Sequence, residues 1–507
     1  MTFEAGIKKT LRGQWCGAKV VLMGGKHRCL VCGVGLAEST IFYNMPDGAQ
    51  ELPESAGAAA GAGMDLRLCI CPNCGLVQFD CEPVAYYRDV IRSGGYSTTM
   101  TDLRRRQYAH LIEAYQLEGK HFLEVGCGQG EFLQVLEEFP VHAHGVEHKP
   151  ELVALARGKG LDVWEGFARD AGTDLWACRR TSVPLPGEGG LFPGKHEYDD
   201  GGSKATRGEP IASADGRVRF DAFLSFNFLE HQPDPVGMMR CIYENTTGDA
   251  VGLVTVPSLE YILQYDGYYE LIRDHLAYFT FGTLGYLMEC AGFRVLEEEL
   301  VNRDTLALVV GKRAPGAAGA EDAAAAANAA GAAGAAVVGK RVTGAAGAAD
   351  VANAAAAEDA ADALPLGVRS GSGVDLSRLA LSLADIGAQM DALVAGCQMR
   401  GESLALWGAG HQGVTLSATT AVGTFAKYII DSAPFKQGKF APVSGLPIVA
   451  PGSFFENPVD VILIVAPGYT QEIASSIWEK YGGGVRVWAL RSNRIEEMRR
   501  DGGPSRR

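Results

Sequence analysis

The chain has 507 residues, which is too long for one ordinary core and predicts about three domains. Hydrophobic residues make up 47% and charged residues 21% of it, so a chain disordered throughout is excluded. The net charge of −14 argues against a nucleic-acid or anionic-membrane partner, because an acidic protein does not displace counterions from such a surface and binding lacks that favourable term. No apolar run reaches the roughly 20 residues that span a bilayer. We expect a soluble protein with no obligate protein partner.

The amino end, residues 1–28, lacks the continuous apolar core of a secretory signal, and its basic residues outnumber its acidic ones. We interpret it as a disordered leader ahead of the first domain. The expected location is cytoplasmic, and import into an organelle stays open as the alternative.

Two C-x-x-C pairs follow, in the strings Cys29-Leu-Val-Cys32 and Cys71-Pro-Asn-Cys74, and a glycine comes after each pair. Two such turns supply the four thiolates that Zn²⁺ prefers in closed structural sites. Cys69 and Cys81 are competing candidates, but neither completes another pair. The sequence therefore predicts a zinc-binding module over residues 29–95, with redox or free thiols as the alternative. The predicted ligands are Cys29, Cys32, Cys71 and Cys74.

A glycine loop opens the next domain, in the string Phe122-Leu-Glu-Val-Gly-Cys-Gly-Gln-Gly130. It predicts a buried strand, a turn and a helix, and its G-x-G-x-G spacing differs from the dinucleotide fingerprint. A second strand ends in Glu147, where an acid can accept hydrogen bonds from two ribose hydroxyls. The loop has no basic residue, which suits S-adenosylmethionine, a ligand without phosphate, and it resembles the class I methyltransferase motif. The alternative is a turn that only packs a helix. The predicted cofactor-binding residues are Glu124, Gly126, Gly128, Gly130, Glu147 and Asn227.

Changes in composition divide the rest of the chain into two domains, a linker and a tail. Residues 96–312 form one predicted α/β domain, and its Gly- and Pro-rich stretch 170–215 is interpreted as an inserted surface loop. Residues 313–372 are a predicted Ala/Gly-rich linker. A second α/β domain is predicted over 373–495, and a tail over 496–507.

The carboxy-terminal domain contains a strand followed by G-x-G-x-x-G at residues 408–413, and a later strand ends in Asp431. This is the Rossmann fingerprint with its ribose-binding acid, so NAD binding stays open as a minority interpretation.

Several strings in order resemble the sugar C-methyltransferase family. They are Cys74-Gly-Leu-Val-Gln78, Asn227-Phe-Leu-Glu-His-Gln-Pro-Asp-Pro235, Asp274-His-Leu-Ala-Tyr-Phe-Thr280, Trp407-Gly-Ala-Gly-His-Gln-Gly413 and Asp431-Ser-Ala-Pro-Phe-Lys-Gln-Gly-Lys439. The resemblance implies a zinc-binding amino-terminal module, a class I methyltransferase domain and a second Rossmann-like domain that helps to form the sugar-nucleotide site. It also implies S-adenosylmethionine-dependent methylation of a carbon in a nucleotide-linked keto-deoxysugar. Inserts at 55–63, 170–215 and 314–364 depart from the family, as does Phe228, where some relatives have an aromatic hydroxyl.

A carbon nucleophile next to a carbonyl must lose a proton to form an enolate, and a histidine suits that base because it titrates near neutrality. We predict His231 as the base, with Glu230 orienting it and His275 orienting substrate or stabilising the enolate. Tyr96 is a predicted sugar-facing hydroxyl. For each of these residues a purely structural role is the alternative.

The substrate-binding residues predicted in the carboxy-terminal domain are Lys436, Lys439 and His411, with the two lysines facing a diphosphate. Solvated loop lysines are the alternative. Three other functions stay open: an O- or N-methyltransferase of another small metabolite, a zinc-ribbon interaction protein with a vestigial cofactor fold, and an NAD-dependent sugar-modifying enzyme.

Overall fold

The computed structural model describes residues 3–9, 15–21, 27–36, 38–59, 61, 63–88, 98–169, 172–178, 217–313, 374–466 and 469–500. Three sheets, each with its own cluster of helices and loops, organise these residues. The predicted α/β class with three modules is confirmed.

The first sheet carries the cysteine pairs and has the strand order β1-β2-β3-β4-β5-β11. Its strands are β1 (Phe3–Lys9), β2 (Trp15–Val21), β3 (Glu38–Met45), β4 (Met64–Ile70), β5 (Val77–Phe79) and β11 (Ala277–Tyr278). Since β1 and β2 form a hairpin and β2 pairs with β3, the interpretation of residues 1–28 as a disordered leader is wrong for these two strands. The last strand comes from the middle domain, so the two modules share one sheet.

The middle sheet has the strand order β12-β13-β10-β9-β6-β7-β8, and β13 runs antiparallel to its neighbours. The strands are β6 (His121–Val125), β7 (His142–Glu147), β8 (Val163–Glu165), β9 (Phe220–Phe226), β10 (Thr246–Pro257), β12 (Phe293–Val301) and β13 (Thr305–Lys312). The helices are α2 (Thr98–Ala114), α3 (Glu131–Leu136), α4 (Pro150–Gly158), α5 (Pro235–Glu244), α6 (Leu259–Gln264) and α7 (Phe281–Cys290). The chain order reverses between β6 and β9, and ligands of open α/β sheets bind outside the carboxyl ends of strands at such a point.

The third sheet has the strand order β16-β15-β14-β17-β18-β19, and β19 is its antiparallel strand. The strands are β14 (Leu404–Trp407), β15 (Ile429–Ile430), β16 (Ile448–Val449), β17 (Val461–Ile464), β18 (Arg486–Arg491) and β19 (Arg494–Glu497). The helices are α8 (Ser377–Arg400), α9 (His411–Thr419), α10 (Val422–Phe425) and α11 (Thr470–Tyr481). The tail predicted from residue 496 begins later, because Glu496 and Glu497 still pair with β18.

Helix α8 is, among the described residues, the one helix long and apolar enough to cross a membrane by length and composition. It lies against β1, β2 and β19, and residues such as Leu379, Ile386 and Met390 are fully buried. We therefore interpret it as a core helix that joins the first module to the third.

Two of the predicted inserts, 55–63 and 170–215, contain residues that are buried in the fold. Residues 172–178 are described, and Leu175 and Trp176 within them are buried, so the surface loop predicted for 170–215 is wrong there. In the first insert, α1 (Ala56–Ala59) ends at the buried Ala59, whose carbonyl accepts a hydrogen bond from the Val443 amide at 2.9 Å. This insert thus connects the first module to the third. The linker predicted for 313–372 lies, apart from Arg313, outside the described residues.

Candidate active site

The four predicted zinc ligands converge. Each thiol sulfur lies within 4.8 Å of the other three, and the Cys29–Cys74 and Cys32–Cys71 sulfurs are 3.5 and 3.4 Å apart. Tetrahedral Zn–S bonds of about 2.3 Å place sulfurs roughly 3.8 Å apart, so the cluster has the dimensions of a structural zinc site. Gly33 and Gly75 adopt φ of +72° and +76°, as the tight turns require. Cys69 and Cys81 lie outside this cluster.

The first glycine loop lies at the carboxyl ends of β6 and β7. Gly126 and Gly128 have φ of +71° and +61°, and the Gly128 amide donates to the Glu147 carboxylate at 2.9 Å. A Cβ on Gly126 would lie 3.4 Å from the Phe228 ring, so the absent side chain leaves the loop open beside that ring. Glu124 is buried in β6 directly before the loop.

A cleft opens above this loop, and we call it the cofactor cleft. Its lining residues are Arg88, Val125, Gly126, Val146, Glu147, His148, Gly166, Phe167, Ala168 and Phe228. Phe228, the departure from the family pattern, forms part of the wall of this cleft, where its ring centroid lies 6.0 Å from that of Phe167. Asn227, at φ +49°, accepts a hydrogen bond from the Thr255 hydroxyl at 2.9 Å and is not part of this lining.

The predicted catalytic residues Glu230, His231 and His275 form one cluster, which we call the histidine cluster. One ligating atom of each lies within 4.8 Å of those of the other two. His231 is 2% exposed, and its Nδ1 lies 2.6 Å from the Asp274 carbonyl oxygen. Since a carbonyl only accepts, Nδ1 carries the proton and Nε2 is left with the lone pair. That Nε2 lies 3.7 Å from the Glu230 carboxylate.

Burial disfavours the charged imidazole and lowers the pKa of His231 to about 4, although the Asp274 carbonyl and charge oppose this. Burial and the neighbouring His231 likewise lower the pKa of His275 well below its usual value. Both rings are therefore neutral at physiological pH, so His231 can accept a proton. Its lowered pKa makes it a weaker base than the near-neutral histidine that the sequence predicts.

The second glycine loop, in the third domain, contacts the middle domain through Glu270. His411 begins α9, and its Nε2 lies 2.6 Å from the Glu270 carboxylate, which also accepts a hydrogen bond from Gln412 at 2.5 Å. Burial works against a charged His411, but Glu270 outweighs it and raises the His411 pKa. Sequence reasoning missed Glu270, because only folding brings residues 141 positions apart together.

The Asp431 carboxylate is occupied within its own domain. It accepts hydrogen bonds from the Ala409 and Ala433 amides, each at 2.8 Å, and from Lys436 at 3.3 Å. The lysine stands beside the carboxylate that a dinucleotide ribose would need, which disfavours the NAD interpretation. Lys439 instead pairs with Glu54 of the first module at 3.0 Å. Tyr96 lies outside the described residues.

Known proteins share both large domains. Residues 100–298 match the methyltransferase domain family, and residues 376–491 match the C-methyltransferase C-terminal domain family. The C-methyltransferase NovU of Streptomyces niveus is 23% identical over 466 residues, which cover 90% of this chain and 94% of NovU. The chain therefore has a methyltransferase domain and a C-methyltransferase C-terminal domain, and the protein is a methyltransferase.

Solved structures are similar to a little under half of this chain. The PH0226 protein from Pyrococcus horikoshii OT3 is 13% identical with a TM-score of 0.30, covering 45% of this chain and 99% of that chain. Magnesium protoporphyrin IX methyltransferase from Synechocystis PCC 6803, with bound SAH, is 12% identical with a TM-score of 0.29, covering 45% and 93%.

The methyltransferase domain makes the enzyme dependent on S-adenosylmethionine. The cleft fits that cofactor: glycines clear the backbone, Glu147 stands at the end of the second strand, and apolar rings form the wall. When bound, the cofactor supplies an electrophilic methyl group on a positively charged sulfur.

Proposed function

We propose that this enzyme methylates a carbon next to a carbonyl in a nucleotide-linked keto-deoxysugar, and that His231 is the base. The main support for this role is that the His231 side chain is neutral and buried, and that the Asp274 carbonyl fixes its imidazole in one tautomer. O- and N-methylation acceptors already carry a lone pair. A carbon acid does not, and needs a base placed in this way.

The position of His231 suits the reaction. Phe228 lines the cofactor cleft, and His231 follows in the 3₁₀ turn Leu229–His231 at the end of β9. Nε2 would take the proton from the carbon, and the electron pair of that C–H bond would form the enolate. The Glu230 carboxylate, 3.7 Å away, would stabilise the resulting imidazolium.

The proposed nucleotide end of the acceptor faces the third domain. His411 is placed at the start of α9 with a raised pKa, and Lys436 lies close by in the turn that follows β15. Two cationic groups at the carboxyl edge of a Rossmann-like sheet suit a diphosphate. Both lysines also pair with a carboxylate, Lys436 with Asp431 at 3.3 Å and Lys439 with Glu54 at 3.0 Å, so a diphosphate would compete with these partners. We further propose that the enzyme acts in the cytoplasm.

The test uses nucleotide-linked keto sugars, a donor with a ¹³C-labelled methyl group, and D₂O. We expect deuterium to enter the carbon next to the carbonyl and the labelled methyl to be bonded to carbon in the product. His231→Asn keeps a donor toward the Asp274 carbonyl but cannot take a proton. It should lower exchange and product formation by about 10²- to 10⁴-fold.

The matched control is His110→Asn, an exposed histidine bonded to Glu297 at 2.8 Å. It should leave exchange and turnover unchanged. A methyl group found on oxygen or nitrogen, or normal deuterium exchange by His231→Asn, would refute the proposal.

A further inference from the structure

The zinc module reaches the cofactor cleft through its last described segment, residues 82–88. Arg273 donates to the carbonyls of Glu82 and Pro83, at 3.2 and 3.4 Å. The Tyr86 hydroxyl donates to the Asp274 carboxylate at 2.8 Å. This segment is therefore fixed to the same loop whose carbonyl orients His231.

Arg88 lies at the end of this segment and lines the cofactor cleft. Its guanidinium carbon is 5.4 Å from the centroid of the Phe167 ring and 5.3 Å from that of the Tyr87 ring. Its Nε–H donates to the Tyr87 hydroxyl at 3.0 Å. Within the residues that the structure describes, no carboxylate forms an ion pair with Arg88, so its planar cation has two aromatic neighbours and an open cleft.

The neighbours of Arg88 identify which end of the cofactor it faces. Glu147 ends β7, and Phe167 follows β8, so both stand on the side of the sheet away from His231. His148 packs 5.8 Å from Phe167 on the same side. An acid at the end of the second strand suits the ribose, which assigns the adenine to the space beside Phe167.

We propose that Arg88 of the zinc module is a cofactor-binding residue that packs its guanidinium plane on the adenine of S-adenosylmethionine. Arginine stacks on aromatic faces, and adenine offers the same kind of face as Phe167. The proposal rests on the assignment of the cleft to the cofactor and not on the identity of the methyl acceptor. Its consequence is that the zinc module forms part of the cofactor site.

The adenine is common to S-adenosylmethionine and its product S-adenosylhomocysteine, whereas the positive sulfur is not. Arg88→Ala should therefore weaken both ligands by the same factor, roughly five- to tenfold. Calorimetric titration of the zinc-loaded protein measures both affinities without turnover. Arg294→Ala, which removes an exposed arginine on β12, is the matched control and should bind both ligands normally.

Two further variants separate the possible outcomes. Glu147→Ala tests the cleft: if it weakens binding and Arg88→Ala does not, the role of Arg88 is refuted. If neither Glu147→Ala nor Arg88→Ala weakens binding, the assignment of this cleft to the cofactor is refuted as well. A loss confined to S-adenosylmethionine would tie the effect to the sulfonium end and not to the adenine that both ligands share, and would also refute stacking. If Arg88→Ala loses zinc or unfolds, Tyr87→Phe decides, because it removes only the hydroxyl that holds Arg88. Unchanged S-adenosylhomocysteine affinity in that variant would refute the proposal.

Discussion

The glycines of the first loop serve different purposes. Gly126 keeps the backbone open beside the Phe228 ring of the cofactor cleft, and the Gly128 amide donates to Glu147. Gly130 lies at the start of α3 with φ of +78°, and a Cβ there would lie 2.2 Å from a methyl group of Leu161. Gly130, predicted to bind the cofactor, thus has a packing role as well.

Gly130→Ala should destabilise the protein more than Gly160→Ala. Both positions have positive φ, +78° and +82°, so both substitutions cost about 1–2 kcal/mol of backbone strain. Only Gly130 has a side chain within reach, since nothing lies within 4 Å of a Cβ on Gly160. Overpacking adds about 1–3 kcal/mol to the first variant. Urea unfolding measures the difference, and equal free energies of unfolding would contradict the packing role.

The sequence predicted which side chains form the histidine cluster but not what holds it. Glu230, His231 and His275 were named from residue type and from the strings that resemble the family. The partner of His231 is a backbone carbonyl 43 residues away, and a main-chain atom leaves no signal in side-chain identity. Glu270 could not be predicted either, because a single acid on a turn does not stand at a fixed distance from other functional residues in the sequence.

Short elements join the modules. Strand β11 is two residues long, yet it pairs with β5 and lies directly after the Asp274–His275 turn. At the other end, the Gln78 side chain of β5 accepts from the Leu30 amide at 2.8 Å and donates to the Arg28 carbonyl at 3.2 Å. One path of hydrogen bonds therefore runs from the first cysteine turn to the active site.

Loss of the zinc site should consequently lower both stability and methyl transfer. Cys71→Ser removes one of four thiolates, and structural zinc contributes several kcal/mol to folding, so Tm should fall by roughly 5–10 °C. Cys81→Ser is the control, because its half-buried thiol lies outside the cluster. Zinc content and Tm are the measurements. Full zinc occupancy in Cys71→Ser, or zinc loss in Cys81→Ser, would show that the ligand set is wrong.

The amino-terminal hairpin shows why some elements escape prediction. Strands β1 and β2 contain several Gly, Ala and Lys residues, which are uncommon in strands. They are strands because β3 pairs with β2 on one side and α8, more than 350 positions later, lies against them. Such long-range packing cannot be read from a local pattern.

All three modules meet at helix α9. Asn44 of the first module donates to the Ala418 carbonyl at 3.1 Å, and Tyr268 of the second bonds to Thr419 at 2.9 Å. Both contacts end on α9, the helix that begins at His411. The Glu270 carboxylate then binds His411 and Gln412, so one acidic side chain fixes the third domain to the second beside His275.

Glu270→Gln should weaken acceptor binding and shift its pH dependence. Glu270 raises the pKa of His411, so His411 is charged below that pKa and loses its charge as pH rises through it. Affinity for an anionic acceptor should fall over the same range. Without the carboxylate the His411 pKa drops, and the fall in affinity moves to lower pH. At neutral pH the acceptor KM should rise about tenfold, while the Kd of S-adenosylmethionine stays constant because the cofactor cleft lies elsewhere. The control is Glu289→Gln, which removes an exposed acid on α7 and should leave the acceptor KM unchanged. Superimposable KM–pH profiles for Glu270→Gln and the unaltered enzyme would show that His411 does not hold the acceptor through its charge.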